Sequence, residues 1–153
     1  MLKQKIKYWL IAIRPFSFTG SIIPVTLGAL LALKHNRFEI IYFILSLIAI
    51  VLLQAAVNLL SDHDDFENNV DTVDSFGSSG VILKNMLTSK SVQIGGYICL
   101  FLGCMIGLFL TYQRWVLILL LGLIGAFGGY SYTGKPLRLK YRGLGAPLVF
   151  LLF

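Results

Sequence analysis

The sequence predicts an all-α fold: a polytopic transmembrane helix bundle with four full spans and the start of a fifth. Hydrophobic residues make up 57% of the 153 positions, charged residues only 13%, and the mean hydropathy is +0.81. A soluble domain needs a far more polar surface. Four apolar runs supply the roughly 20 residues that a helix needs to cross a bilayer. The basic residues between these runs are concentrated in alternate loops.

Each span is predicted from the length of an apolar run, because a helix surrounded by lipid is apolar on every side and shows little periodicity. The predicted spans are 16–33, 38–60, 92–112, 115–132 and, as a partial span, 144–153. The last run stops at Phe153 without a polar flank, so we expect the chain to be the front part of a longer fold. A short C-terminal segment lying on its neighbours is the alternative.

Prolines and glycines predict how these spans bend and pack. Pro15 opens the first span and Pro24 lies inside it, which predicts a kinked entry helix. In the third and fourth spans, glycines four residues apart clear a strip where another helix backbone can approach closely. These pairs are Gly103 with Gly107 and Gly125 with Gly129.

The 13 Lys and Arg residues sort by loop and are not interleaved with stacking aromatic residues, which argues against a nucleic-acid partner. Three lie on one side of a four-crossing topology: Lys34, Arg37 and Arg114. Ten lie on the other: Lys3, Lys5, Lys7, Arg14, Lys84, Lys90, Lys135, Arg138, Lys140 and Arg142. This positive-inside bias predicts a multi-pass protein of the cell membrane whose N-terminus and loops 61–91 and 133–143 are cytoplasmic.

Six of the seven acidic residues lie within positions 62–74, directly after the second span. If the second helix continues past Leu60, the side chains of Asn58, Asp62 and Asp65 share one face. Oxygen ligands of this kind suit Mg²⁺, which bridges one or two carboxylates to the phosphates of a substrate. A solvated acidic loop, or a helix end followed by an Asp-rich turn, explains the spacing equally well. His63, a single histidine among these acids, is expected to face solvent.

The second cytoplasmic loop, 133–143, is rich in Lys and Arg and can neutralise phosphate oxygens. Topology alone also explains basic residues in a cytoplasmic loop. Since an acidic segment is predicted on the same side of the same bundle, the two loops together predict a site for a diphosphate.

At these residues the chain resembles the UbiA family of intramembrane aromatic prenyltransferases, particularly its dihydroxynaphthoate polyprenyltransferase branch. Residues 14–17 with 23–25 and Gly28 resemble the first helix of the family. The first Asp-rich motif of the family is similar to the pattern formed here by Asn58, Asp62, Asp65, Phe66 and Asp71. A later cytoplasmic loop of the family is similar to Tyr132 with residues 136–145.

The resemblance implies that the chain is the first half of a roughly nine-helix fold and takes part in quinone biosynthesis of the menaquinone type. Its implied partners are membrane lipid, a polyprenyl diphosphate and a dihydroxynaphthoate-like aromatic acceptor, and its implied cofactor is Mg²⁺. The residues that match the motifs of the family are Asp62, Asp65 and Asp71 as metal ligands, Asp65 and Asp71 as catalytic residues, and Asn58, Tyr132, Arg138 and Lys140 as substrate-binding residues.

Three departures from the family pattern bear on activity. Ser61 stands where the family usually has a second asparagine, and Gly80 stands where many members carry an arginine. A second Asp-rich motif would lie beyond Phe153, so we expect the isolated half-chain to be inactive unless a second polypeptide completes the site. The alternative function is that of a small non-catalytic membrane protein whose acidic cytoplasmic loop binds cations or a partner.

Overall fold

The computed structural model of the chain describes residues 2–70, 78–114, 116–133, 136–137 and 139–152. Within these ranges the fold is all-α, as predicted. Short 3₁₀ helices lie at Pro15–Ser17 and Leu139–Arg142. The α-helices are α1 Leu2–Ile13, α2 Phe18–Lys34, α3 Ile40–Glu67, α4 Ser89–Arg114, α5 Val116–Thr133 and α6 Gly145–Leu152. Two compact units make up the chain, Met1–Ile106 and Gly107–Phe153, and their boundary falls inside α4.

Three helical stretches of the described chain are long and apolar enough to cross a membrane. They are Lys3–Lys34, Ile40–Glu67 and Ser89–Gln113, with mean hydropathies of 1.8, 2.7 and 2.1. A shorter apolar helix, Leu117–Tyr132, corresponds to the predicted fourth span. Many of their large apolar side chains are exposed, as lipid-facing side chains are. The chain is a multi-pass membrane protein.

Helix α3 extends seven residues beyond the predicted end of the second span at Leu60. It stops at a left-handed residue, Asn69, whose φ is 53°. The N–H of Asn69 donates to the carbonyl of Phe66, and the N–H of Val70 donates to the carbonyl of Asp65, at 3.1 and 2.9 Å. These two bonds form a Schellman motif, which satisfies the last carbonyls of the helix. The acidic residues up to Glu67 are therefore helical, which the length of the apolar run did not indicate.

Helix α1 was not among the predicted spans, because its three lysines interrupt the apolar run. It is separated from α2 by a break at Arg14, whose φ of 52° and ψ of 68° are left-handed. A residue before proline is normally extended, and a non-glycine residue in the left-handed region costs about 1–3 kcal/mol. The predicted kink of the entry helix thus falls at Arg14–Pro15, while Pro24 lies inside the continuous helix α2.

The core of the first unit joins α1, α3, α4 and the segment before α4. Its buried apolar residues are Ala12, Leu59, Val81, Ile82 and Val92, with Trp9, Ile13, Phe66, Met86, Leu87 and Cys99 packed against them. Val81 also accepts the backbone N–H groups of Met86 and Leu87 at 2.9 and 3.2 Å. The segment 78–88 is consequently fixed on the helices through Val81.

Close approach to α4 occurs at a different set of glycines from the predicted one. A Cβ at Gly95 would lie 2.7 Å from the ring of Trp9, and one at Gly96 would lie 2.8 Å from Leu60. Gly103 is confirmed as a contact, since a Cβ there would lie 2.9 Å from Leu53. Among the described residues, no heavy atom lies within 4 Å of a Cβ position at Gly107 or Gly125, so the close approach predicted from their spacing does not occur there. The surroundings of Gly129 lie outside those that the structure describes.

Candidate functional site

Helix α3 carries three polar residues spaced four apart, Gln54, Asn58 and Asp62, which we call the polar ladder. Because this spacing repeats one face of a helix, all three point toward the same neighbour. Gln54 accepts a hydrogen bond from Ser21 Oγ at 2.8 Å, so the first rung of the ladder contacts α2.

Asn58, the middle rung, holds the break between α1 and α2. Its Nδ2 donates to the carbonyl of Ile13 and to Ser17 Oγ, both at 2.8 Å. Its Oδ1 receives only a long bond, 3.5 Å, from Gln54 Nε2. Both amide hydrogens of this side chain are therefore used within the protein, and its oxygen is the atom that remains for a ligand.

Asp62, the third rung, is 2% exposed and forms an ion pair with the guanidinium of Arg14. The backbone N–H of Ser79 points to both of its oxygens, at 3.4 Å from Oδ1 and 3.3 Å from Oδ2. The hydroxyl of Ser79 donates to Oδ2 as well. Since a buried carboxylate needs a positive partner and hydrogen bonds, these contacts explain how Asp62 is accommodated. Sequence reasoning had assigned no role to Arg14 or Ser79 at this carboxylate.

Asp65 lies on the same side of α3 and is 4% exposed. Ser61 Oγ, one turn earlier, donates to its Oδ2 at 3.3 Å. The prediction that Asn58, Asp62 and Asp65 share a face of a continued helix is confirmed, since all three are buried on α3. The carboxylates of Asp62 and Asp65 are thus held inside the protein at the end of a long apolar helix.

The predicted metal ligands are only partly described. Asp71 lies outside the described residues. Among the residues that the structure does describe, no three His, Cys, Asp or Glu side chains come together as a group that could hold a metal ion. The assignment of Asp62, Asp65 and Asp71 to Mg²⁺ stays a prediction.

The prediction that His63 faces solvent is wrong, because its side chain is only 14% exposed. Its Nδ1 lies 2.7 Å from Ser89 Oγ, and Ser89 donates to Glu67 Oε1 at 2.8 Å. Ser89 Oγ and Glu67 Oε1 both lie on the Nδ1 side of the His63 ring, at 2.7 and 4.0 Å. A catalytic triad instead has the serine and the acid on opposite ring nitrogens, so this group is not one. It joins the end of α3 to the first residue of α4.

In the second unit, the structure brings together two of the predicted substrate-binding residues. Lys140 Nζ lies 5.9 Å from the centre of the Tyr132 ring, within the range of a cation–π contact. A Cβ on Gly145 would lie 3.0 Å from Tyr132 Cε2, so this glycine allows α6 to begin close to the ring. Arg138, the other basic candidate, lies outside the described residues.

Two clefts lie beside segment 86–88, with volumes of 290 and 420 Å³. The smaller is lined by Phe66, Ile82 and Asn85, and the larger by residues of α1 that include Tyr8 and Trp9. Neither Asp62 nor Asp65 lines these clefts, so we do not identify them with the predicted diphosphate site.

The acidic end of α3 lies inside a region with a recognisable family signature. The UbiA prenyltransferase family matches residues 21–153. The chain belongs to the UbiA prenyltransferase family. The resemblance seen in the motifs is thereby confirmed. The match covers the whole polar ladder of this UbiA protein but begins after Arg14, so the cationic partner of Asp62 lies outside the matched region.

Curated UbiA relatives resemble most of the chain. It is 30% identical over 132 residues to 1,4-dihydroxy-2-naphthoate octaprenyltransferase of Bacillus subtilis, covering 86% of this chain and 42% of the relative. It is 31% identical to 2-carboxy-1,4-naphthoquinone phytyltransferase of a Synechocystis strain, covering 96% and 47%. It is 29% identical to UbiA prenyltransferase domain-containing protein 1 of Danio rerio, covering 99% and 46%.

The chain spans about half the length of the curated relatives it matches. No solved structure gives a significant match to this UbiA chain.

Proposed function

We propose that this UbiA family protein takes part in the Mg²⁺-dependent transfer of a polyprenyl group from its diphosphate to an aromatic acceptor. The observation that carries the proposal is the buried carboxylate of Asp65 at the end of a long apolar helix. A carboxylate there serves no solvating purpose, and its burial near the membrane is typical of a functional acidic group that binds a cation. The names of the naphthoate and naphthoquinone prenyltransferase relatives support a bicyclic aromatic acceptor of quinone biosynthesis.

The donor set fits Mg²⁺ in its usual role. This ion keeps several waters and takes only one or two protein carboxylates together with substrate phosphates, so a full protein cage is not required. We assign Asp65 and Asp71 as the ligands that would hold it. Bound there, Mg²⁺ would offset the negative charge of the diphosphate.

The remaining candidates act on the diphosphate and on the reacting carbon. We assign Lys140 and Arg138 to the phosphate oxygens, because a fixed cation stabilises the charge that grows on a leaving group. Tyr132 holds the Lys140 ammonium near its ring at 5.9 Å and so restricts where that cation can go. The amide oxygen of Asn58, which receives only the long bond from Gln54, stays a candidate for substrate binding. Apolar helices around such a site exclude the water that would capture an allylic cation.

The proposed site faces the cytoplasm, in a multi-pass protein of the cell membrane. The expectation that a second polypeptide completes the site stays a prediction. This prediction is tested by assaying prenyl transfer by the chain alone and by the chain co-expressed with membrane proteins of the same cell. Transfer by the purified chain alone would contradict it.

The deciding experiment compares Asp65→Asn with Asp64→Asn. Asp64 is the adjacent acid on α3, it is less buried than Asp65, and its substitution removes the same charge. Binding of a labelled geranylgeranyl diphosphate to the detergent-solubilised chain is measured with Mg²⁺ and with chelator. We expect Mg²⁺-dependent binding that Asp65→Asn weakens by about tenfold or more and that Asp64→Asn leaves within about a factor of two.

Equal losses in both variants would show that net charge is responsible and not the Asp65 carboxylate. No Mg²⁺-dependent binding by the parent chain would favour the other function, a non-catalytic membrane protein whose acidic segment binds cations or a partner.

A further inference from the structure

Asp62 is the most buried acidic residue of the described chain, and three separate segments meet at its carboxylate. Arg14 reaches it from the break between α1 and α2, and Ser79 reaches it from the segment before α4. Each of these segments continues into the apolar core, the first through Ala12 and the second through Val81, both 0% exposed. The carboxylate is therefore located where the polar end of α3 joins two chain segments that are distant in sequence.

Both oxygens of Asp62 already have partners within the protein. The guanidinium of Arg14 meets Oδ1, and the hydroxyl of Ser79 meets Oδ2. A metal ion at this carboxylate would compete with them for the oxygen lone pairs. It would also lie beside a guanidinium that is only 16% exposed, where the repulsion between the two positive charges is weakly screened.

The backbone of Arg14 indicates that the ion pair matters for local structure. A left-handed residue before proline persists only when the surrounding structure determines its conformation. Asn58 bonds to the carbonyl of Ile13 on one side of the break and to Ser17 on the other. The guanidinium of Arg14 contacts Asp62 one turn further along α3. Two adjacent rungs of the polar ladder thus fix both the backbone and the side chain of this break.

We infer that Asp62 is a positioning residue and not a metal ligand: it is the internal counter-ion of Arg14, and the Arg14–Asp62–Ser79 clasp holds the acidic end of α3 in place. Asp65, one turn further on the same helix, is the group whose position the clasp sets. The clasp itself requires no substrate. Only the consequence for Asp65 rests on the proposed function.

A double-mutant cycle tests the clasp with three variants: Arg14→Gln, Asp62→Asn and the double substitution. The unfolding temperature of each is measured in detergent without any metal. Either single change leaves a buried charge without its partner and is expected to lower the unfolding temperature on the order of 5–10 °C, while the double variant recovers at least half of that loss. The matched controls Lys7→Gln and Asp64→Asn remove the same charges outside the clasp, and we expect their effects to be small and additive.

Additive losses at Arg14 and Asp62 would overturn the proposal. A milder variant guards against misfolding, since Ser79→Ala removes one hydroxyl only. We expect Ser79→Ala to lower the unfolding temperature of the parent chain by a few degrees and to have almost no effect when Asp62→Asn is already present. An undiminished effect in that background would also contradict the clasp.

Binding of Mn²⁺ alone, followed by electron paramagnetic resonance, separates the two roles of Asp62. A positioning residue predicts that the double variant, Arg14→Gln with Asp62→Asn, keeps an affinity for Mn²⁺ within about threefold of the parent, because the two neutral amides can hydrogen-bond in place of the ion pair and so keep Asp65 in position. A ligand predicts that Arg14→Gln strengthens binding, that Asp62→Asn weakens it, and that the double variant stays weak. If the parent binds no Mn²⁺, the proposed function fails, whereas the unfolding cycle still decides whether the clasp exists.

Discussion

At the level of single residues, Asn58 shows how a motif position can have a structural role. Its spacing placed an amide oxygen on the face of two carboxylates, and the resemblance to the family implied a role in substrate binding. In the structure its amide nitrogen bonds to Ile13 and Ser17, so the side chain replaces hydrogen bonds that the broken helix cannot make for itself. The two roles use different atoms of one amide and are compatible with each other.

Substitution of Asn58 by Ala is expected to destabilise the protein by about 1–3 kcal/mol, because the carbonyl of Ile13 and the hydroxyl of Ser17 lose a donor in a half-buried environment. Thermal unfolding in detergent measures the change. Gln113→Ala, at an exposed amide side chain on α4, is the control and should have little effect. Equal stability of both variants would contradict the bracing role of Asn58.

The same reasoning explains which site residues the sequence did not reveal. The spacing of Asn58, Asp62 and Asp65 is local, so a helical pattern was enough to place them on one face. Arg14 and Ser79 meet Asp62 only because the chain returns to α3 from two distant segments. An acidic segment in a basic protein is expected to have a cation nearby, but spacing alone did not indicate that a residue of the chain would supply it.

At the level of helices, α4 packs through glycines at positions that hydropathy does not distinguish. Gly95 faces the ring of Trp9, and Gly96 and Gly103 face leucine side chains of α3. Gly107, in the same helix, has no neighbouring atom within 4 Å of a Cβ position. The helix therefore contains one glycine that is in close contact with a neighbour, Gly95, and one that is not, Gly107, and the two can be compared by substitution.

We expect Gly95→Ala to destabilise the protein by about 1–3 kcal/mol, because the new methyl group would overlap the bulky ring of Trp9. The matched change Gly107→Ala should be neutral or stabilise the helix by up to about 1 kcal/mol, since alanine is the better helix former and the space is open. Unfolding temperatures of the two variants in one detergent provide the comparison. A larger loss at Gly107 than at Gly95 would show that the packing of α4 differs from that described.

The sequence predicted a helix boundary correctly only where that boundary coincides with the end of an apolar run. The predicted second span began within two residues of α3, but its end was placed where hydrophobicity stops and not at the Schellman motif around Asn69. α1 was overlooked for the same reason, since three lysines shorten its apolar run although its residues form a regular helix. Run length detects what lipid can cover, whereas backbone hydrogen bonds determine where a helix ends.

At the level of the whole molecule, the distribution of charge predicts which side of the membrane each loop faces. The loop that follows α2 and the segment that precedes α4 are separated by α3, which is long enough to cross the bilayer. We therefore expect them to lie on opposite sides of the membrane. The positive-inside bias assigns the segment before α4 to the cytoplasm.

Single cysteines at His35 and Lys90 test this assignment in a chain whose own Cys99 and Cys104 are replaced by Ala. With a membrane-impermeant maleimide, we expect His35→Cys to react in intact cells and Lys90→Cys to react only after permeabilisation, because the two positions flank α3. Labelling of both in intact cells would contradict the crossing by α3, and the reversed pattern would contradict the cytoplasmic location of the acidic segment.

The sequence by itself determined that this protein lies in a membrane, that its fold is helical, and that carboxylates gather at one end of its second long apolar helix. These are local properties, summed over neighbouring residues, and solvent preference is sufficient to impose them. The tertiary structure decided that Arg14 and Ser79 partner Asp62, that Trp9 packs on Gly95, and that Lys140 lies over Tyr132. Such pairs depend on the rotation of each helix about its axis and on where the chain returns, and packing between distant segments fixes both.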